Sequence, residues 1–110
     1  MVAGKDNRIV LVTCASLREA RKIANVVVEK RLAACVNILT GTIQSVYRWK
    51  GSVESAKEIL ILIKTNKKRL ADLEKEVKRL HSYDVPDFVV LPIVAGSREY
   101  LGWLEDSVKA

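Results

Sequence analysis

A chain of 110 residues in which 49% are hydrophobic and 29% charged is long enough for one packed core and too apolar to be disordered. Its net charge of +6 raises the question of an anionic partner. However, Lys67, Lys68, Arg69, Lys75, Lys78 and Arg79 are interleaved with Asp72, Glu74 and Glu76, and mixed signs of this kind mark a solvated helix face rather than a nucleic-acid surface.

Residues 1–110 are expected to form a single domain, with residues 1–7 as a flexible amino-terminal extension. The apolar run Ile9 to Val12 is too short for a signal-peptide core or for a membrane span of roughly 20 residues. A soluble, cytoplasmic protein without a membrane partner is expected. Cys14 and Cys35 lack CxxC spacing and are expected to be free thiols that behave as small apolar residues.

Arg8 to Cys14 is β-branched and apolar, and predicts a short buried strand. Ser16 and Glu19 then have the spacing of a capping box, so a helix should begin there. Leu17, Ala20, Ala24, Val27 and Val28 form its expected core stripe. From Ala33 the chain is extended again, and Thr40-Gly41-Thr42 predicts a bulge or bend inside one long strand. "KGS" reads as a hairpin turn into "VESAKEILILIKT", whose apolar run from Ile59 to Ile63 predicts a central strand covered on both faces. Glu58 and Lys64 share a face with Leu60 and Leu62 but stand about 20 Å apart, too far to pair within the strand.

Leu70, Leu73, Val77 and Leu80 predict a second helix, with His81 in its last turn and Pro86 just beyond. At that place His81 could act simply as a cation at the negative end of the helix dipole. "DFVVLPIVAG" predicts a last strand that Pro92 confines to an edge or an irregularity. "SREYLGWLEDSV" predicts a closing helix capped by Ser97, with Tyr100, Leu101 and Leu104 inward. The sum is an α+β fold, a ferredoxin-like βαββαβ sandwich with a carboxy-terminal helix. Two helices cover one sheet face only, and the apolar second face predicts an oligomer.

The strings "LVTCAS", "EKRLAACVNI", "SVYRWKGSVES", "EILILIKT", "LHSYDVP" and "YLGWLEDS" occur in the order and at the spacing of the CutA divalent-cation tolerance family. The chain resembles that family from about Ile9 to Val108. The resemblance implies a homotrimer whose long bent hairpins pack between subunits, and a metal-responsive protein that binds copper or another divalent cation. It points to Cys14 and His81 as the metal-associated positions. Thiolate and imidazole suit both copper and zinc. The chain departs from the family pattern in having Ser82 where a proline is common, and Leu80 where some members carry a second histidine.

By the same resemblance, Tyr47, Trp49, Glu58, Lys64 and Tyr83 would gather near a cleft between subunits. An aromatic wall with an anion and a cation is the composition of a small-molecule pocket and also of a wet interface. The chain has no HExxH, no GxGxxG after the first strand, no Walker loop and no Ser-His-Asp order, so no enzyme is expected. The central strand lacks the aromatic strings of an RNA-binding sheet. Two functions follow: a trimeric metal-binding protein, or a trimeric small-ligand sensor or scaffold resembling the PII signalling proteins, in which metal binding is incidental.

Overall fold

The computed structural model describes residues 1–109. Val2–Ala3 forms β1, Asn7–Cys14 β2, Leu17–Glu29 α1, Cys35–Ile38 β3, Ile43–Trp49 β4 and Ser52–Asn66 β5. A 3-10 turn at Lys67–Arg69 leads into α2, Leu70–Leu80, followed by β6, Val89–Pro92, β7, Ala95–Gly96, and α3, Arg98–Ser107. The main sheet is antiparallel in the order β3-β5-β2-β6, which is the split βαβ arrangement, with β2 and β5 in the centre. Among the described residues the fold is mixed α+β, with a five-stranded main sheet, a separate two-stranded β1-β7 sheet and three α-helices.

Register decides which side chains share a face. Val10 pairs with Ile63, Val12 with Ile61 and Cys14 with Ile59, and all six are buried on one side of the sheet. Helix α1 lays Ala20, Ile23, Ala24 and Val27 on that face, and α2 adds Leu73 and Val77. Ile23 completes the i, i+3, i+4, i+7 set of α1, which leaves Val28 on its solvent edge, 39% exposed rather than in the core. Tyr100, expected inward on α3, is likewise exposed, whereas Leu101 and Leu104 are buried with Ala34 and Val108.

The bend at residues 39–42 is a bulge. Ile38 faces Ile61 and Ile43 faces Glu58, so four residues of one strand lie opposite two of the other. Past this point β4 and β5 leave the main sheet as a hairpin arm. Lys50 and Gly51, both with positive φ (49° and 83°), close it as a two-residue turn between Trp49 and Ser52.

Two terminal expectations change. Residues 1–7, expected as a flexible extension, are tied down. Val2 and Ala3 pair with Gly96 and Ala95, Gly4 N–H donates to the Val94 carbonyl at 2.9 Å, and Asn7 opens β2. A Cβ at Gly4 would overlap the Ile93 carbonyl, so the close approach requires glycine. The single last strand expected over "DFVVLPIVAG" is two, β6 and β7. Pro92, which cannot donate to a ladder, ends β6 at the edge of the sheet, and β7 pairs with β1 instead.

The second face of the sheet carries Ile9 and Leu11 of β2 and Leu60 and Leu62 of β5, all half-buried, with Val89 and Leu91 of β6 exposed. Helix α3 reaches only one end of it, where the Tyr100 ring centre lies 5.2 Å from Lys64 Nζ. Among the described residues no helix is long and apolar enough to cross a membrane.

Candidate functional site

The opposite end of the sheet gathers the polar chemistry. Three segments meet there: the end of β2 with the start of α1, the end of α2 with its following loop, and the point where β4 and β5 leave the sheet. Ser16 caps α1 by accepting from Glu19 N–H at 3.1 Å. The Glu19 carboxylate turns back, accepting from Ala15 N–H at 3.2 Å with Oε2 and from Ser82 N–H at 2.8 Å with Oε1. The residue that caps one helix therefore also holds the loop that leaves the other.

His81 is the residue after α2, in extended conformation, with its side chain fully buried. Its Nδ1 accepts from Tyr83 N–H at 3.1 Å, so the ring proton sits on Nε2, which donates to the Thr13 carbonyl at 2.7 Å. Beside it, Cys14 is fully buried, and its thiol is pushed up to about 12, first by burial and then by the carboxylates of Glu19, Asp87 and Glu58.

One ligand atom each from Cys14, Glu19 and His81 lies within 4.8 Å of the other two. Sulfur, oxygen and nitrogen donors together suit copper or zinc. The donor set therefore fits a metal, at the expense of the thiol proton and, if Nδ1 is the ligand, of the Tyr83 N–H bond. Cys14 and His81 are buried and Glu19 is half-buried, so the donor group lies below the surface.

Next to this cluster lies a cavity of about 480 Å³ whose lining includes Tyr47, Trp49, Glu58, Tyr83, Asp84 and Asp87. Glu58 is only 6% exposed, and its Oε2 accepts from the Tyr83 hydroxyl at 2.7 Å. Burial pushes the Glu58 carboxyl up, but hydroxyl hydrogen bonds from Ser45 and Tyr83 outweigh it and hold the group below the usual carboxylate range. The Tyr83 phenol is pushed the other way, above its ordinary value, by burial and then by Glu58. Asp87 stands where a further residue of β6 would pair with Thr13. Its Oδ1 accepts from Thr13 N–H at 3.0 Å and from Thr13 Oγ1 at 2.8 Å, so a side chain replaces the ladder and fixes the loop to β2.

Cys14 and His81 thus stand together. Of the five cleft residues expected from the sequence, Tyr47, Trp49, Glu58 and Tyr83 line one cavity. Lys64 does not: it sits at the far end of β5, against Tyr100. Glu19, Asp84 and Asp87 are additional. The signal for Glu19 was its place in the capping box, which fixes its carboxylate at the start of a helix only two residues after the strand carrying Cys14.

The CutA1 divalent ion tolerance protein model matches residues 8–107. A divalent-cation tolerance protein CutA of Thermus thermophilus is 50% identical over 99 residues, which cover 90% of this chain and 95% of that protein. A chloroplastic protein CutA of Arabidopsis thaliana is 46% identical over 101 residues; the match covers 92% of this chain but 55% of that longer protein. The solved structure of the divalent cation tolerance protein from Thermus thermophilus superimposes with a TM-score of 0.91 at 47% identity, covering 94% of this chain and 99% of that one. The family model and the Thermus thermophilus relative are named for tolerance of divalent ions, and none of these names states a catalysed reaction. The chain belongs to the CutA1 divalent ion tolerance family.

Proposed function

We propose that this chain is the single-domain subunit of a cytoplasmic homotrimer that takes part in the response to metal ions, without enzymatic activity, by binding copper or another divalent metal. Cys14 and His81 are its ligands, and Glu19 is a third donor. The observation that carries this reading is the approach of sulfur, carboxylate and imidazole donors to within 4.8 Å of one another at one end of the sheet. Family membership supports the metal class. The exposed Val89 and Leu91, beside half-buried Leu11 and Leu62, support the trimer as the cover of the second face.

The test is titration of the intact, reduced protein with Cu(I) and Zn(II) against a chromophoric chelator. The parent, Cys14→Ser, His81→Ala and Glu19→Gln are compared, with thermal melts checking that each variant is folded. Loss of at least tenfold in affinity in the first two variants is expected. Unchanged affinity in both overturns the assignment of the metal to these residues.

A second reading, that of a small-ligand sensor or scaffold with incidental metal binding, is favoured by the cavity beside the cluster. Metal-free protein whose melting temperature rises with a small molecule, in proportion to the logarithm of its concentration above Kd, supports it.

A further inference from the structure

We infer that the cavity walled by Tyr47, Trp49 and Tyr83 and floored by Glu58 binds a small organic ammonium cation, an aliphatic amine or diamine, so that this inference rests on the small-ligand reading above. The lining that one chain supplies contains three carboxylates, those of Glu58, Asp84 and Asp87, and among the described residues no lysine, arginine or histidine. That is the reverse of the chain as a whole, which carries a net charge of +6. An anionic metabolite is drawn to the molecule but repelled by this cleft; a cation finds its counter-charge inside it.

Burial and exposure divide the three acids. Glu58 is nine-tenths buried, whereas Asp84 and Asp87 are exposed at the mouth. Glu58 Oε2 accepts from the Tyr83 hydroxyl at 2.7 Å, and among the described residues no lysine or arginine pairs with it, so its carboxylate stands in the cavity wall without an ion-pair partner. Aromatic faces complete the match. An ammonium group gains from the quadrupole of an indole or phenol ring when its water is stripped. The Trp49 ring already has the Lys50 ammonium 5.8 Å from its centre, at the hairpin turn.

An inorganic divalent ion fits the cavity less well. Hard cations require six or more oxygens or their own water shell, and gain nothing from three aromatic walls. At about 480 Å³ the space is within the range of sites for small organic molecules. Two acids at the mouth and one at the floor favour a ligand with a second positive group over a monoamine.

The experiment uses the full chain with Trp103→Phe, which leaves Trp49 as the only indole. Spermidine, 1,4-diaminobutane and tetramethylammonium are titrated at constant ionic strength, with citrate, inorganic phosphate and magnesium chloride as counter-probes. Saturable change in Trp49 fluorescence with the amines is expected, weakened about tenfold or more by Glu58→Gln. Asp84→Asn, at an exposed rim position, is expected to weaken spermidine more than tetramethylammonium without lowering the melting temperature. Amine binding unaffected by both substitutions, or matched by magnesium, overturns the inference. Saturation by citrate or phosphate and not by amines overturns the ammonium class while the ligand-cleft reading stands. No saturation by any probe overturns both.

Discussion

The Tyr83 hydroxyl donates to Glu58 Oε2 across 2.7 Å and so joins the loop after α2 to β5 at the point where the hairpin arm leaves the sheet. Two residues earlier, His81 is fastened to Thr13 and to Tyr83 N–H, and four residues later Asp87 is fastened to Thr13. The loop is therefore pinned to β2 at both ends and to β5 in its middle. Tyr83, Asp84, Val85 and Asp87 of this loop form a wall of the cavity.

Replacing Tyr83 with phenylalanine keeps the ring and removes the hydroxyl. Glu58 then loses a donor to a buried carboxylate, a loss of about 1.5 to 3 kcal/mol. Urea unfolding at pH 7 and fixed protein concentration should show a stability lower by that amount. A change below about 0.5 kcal/mol would mean that water replaces the hydroxyl without penalty.

Glu58 also sets a pH dependence. Its folded carboxyl lies below the ordinary value of 4.5, so the unfolded chain binds the proton more readily. The resulting stabilisation is present above pH 4.5 and is lost as pH falls through the lower folded value. The parent should therefore lose stability more steeply than Glu58→Gln as pH falls from about 5 toward 3. Parallel curves for the two proteins would contradict the hydrogen-bonded, ionised state of Glu58.

Much of this site was legible because its residues carry local signals. The Tyr47-x-Trp49 alternation places both rings on one side of a strand, and the helix-stop pattern places His81 and Tyr83 in a loop. Lys64 lies outside the lining within one chain because β5 is 15 residues long, and its period of two gives the face but not which end another element covers; its expected place, in a cleft between subunits, depends on a neighbouring copy. Asp84 and Asp87 were missed since loop acids have no periodicity, and Asp87 acts by substituting for a backbone partner across the chain. Glu19 was read as a local cap only. Its second bond, to Ser82, spans 63 positions, and such contacts depend on how α1 and α2 lie side by side.

Metal binding at Cys14 and His81 should be linked to protons. Burial and neighbouring carboxylates push the Cys14 thiol up to about 12, so it is protonated throughout the neutral range and must lose its proton to become a ligand. Affinity for Zn(II), measured by competition with a chelator whose own pH dependence is known, should rise by about one logarithmic unit per pH unit between pH 6.5 and 8. The slope should vanish in Cys14→Ser along with the tight site. A pH-independent affinity in the parent would place the ion elsewhere.

The second sheet face gives the last prediction. Leu91 pairs with Ile9 on the side that α1 and α2 do not cover, and in the single chain it is 42% exposed. Putting a charge there costs an isolated subunit little, because the side chain can still reach water, but burying that charge in a contact between copies costs several kcal/mol. Leu91→Asp should therefore convert the assembly to smaller species by sedimentation equilibrium, with its far-ultraviolet circular dichroism kept. Val28→Asp, equally exposed at 39% but on the outer side of α1, should leave the mass at about three times the 12.3 kDa of one chain. If both variants keep the parent's mass, the face bearing Leu91 is not where the copies meet. If the parent itself sediments as one chain, the apolar face is left to water and the proposed trimer falls.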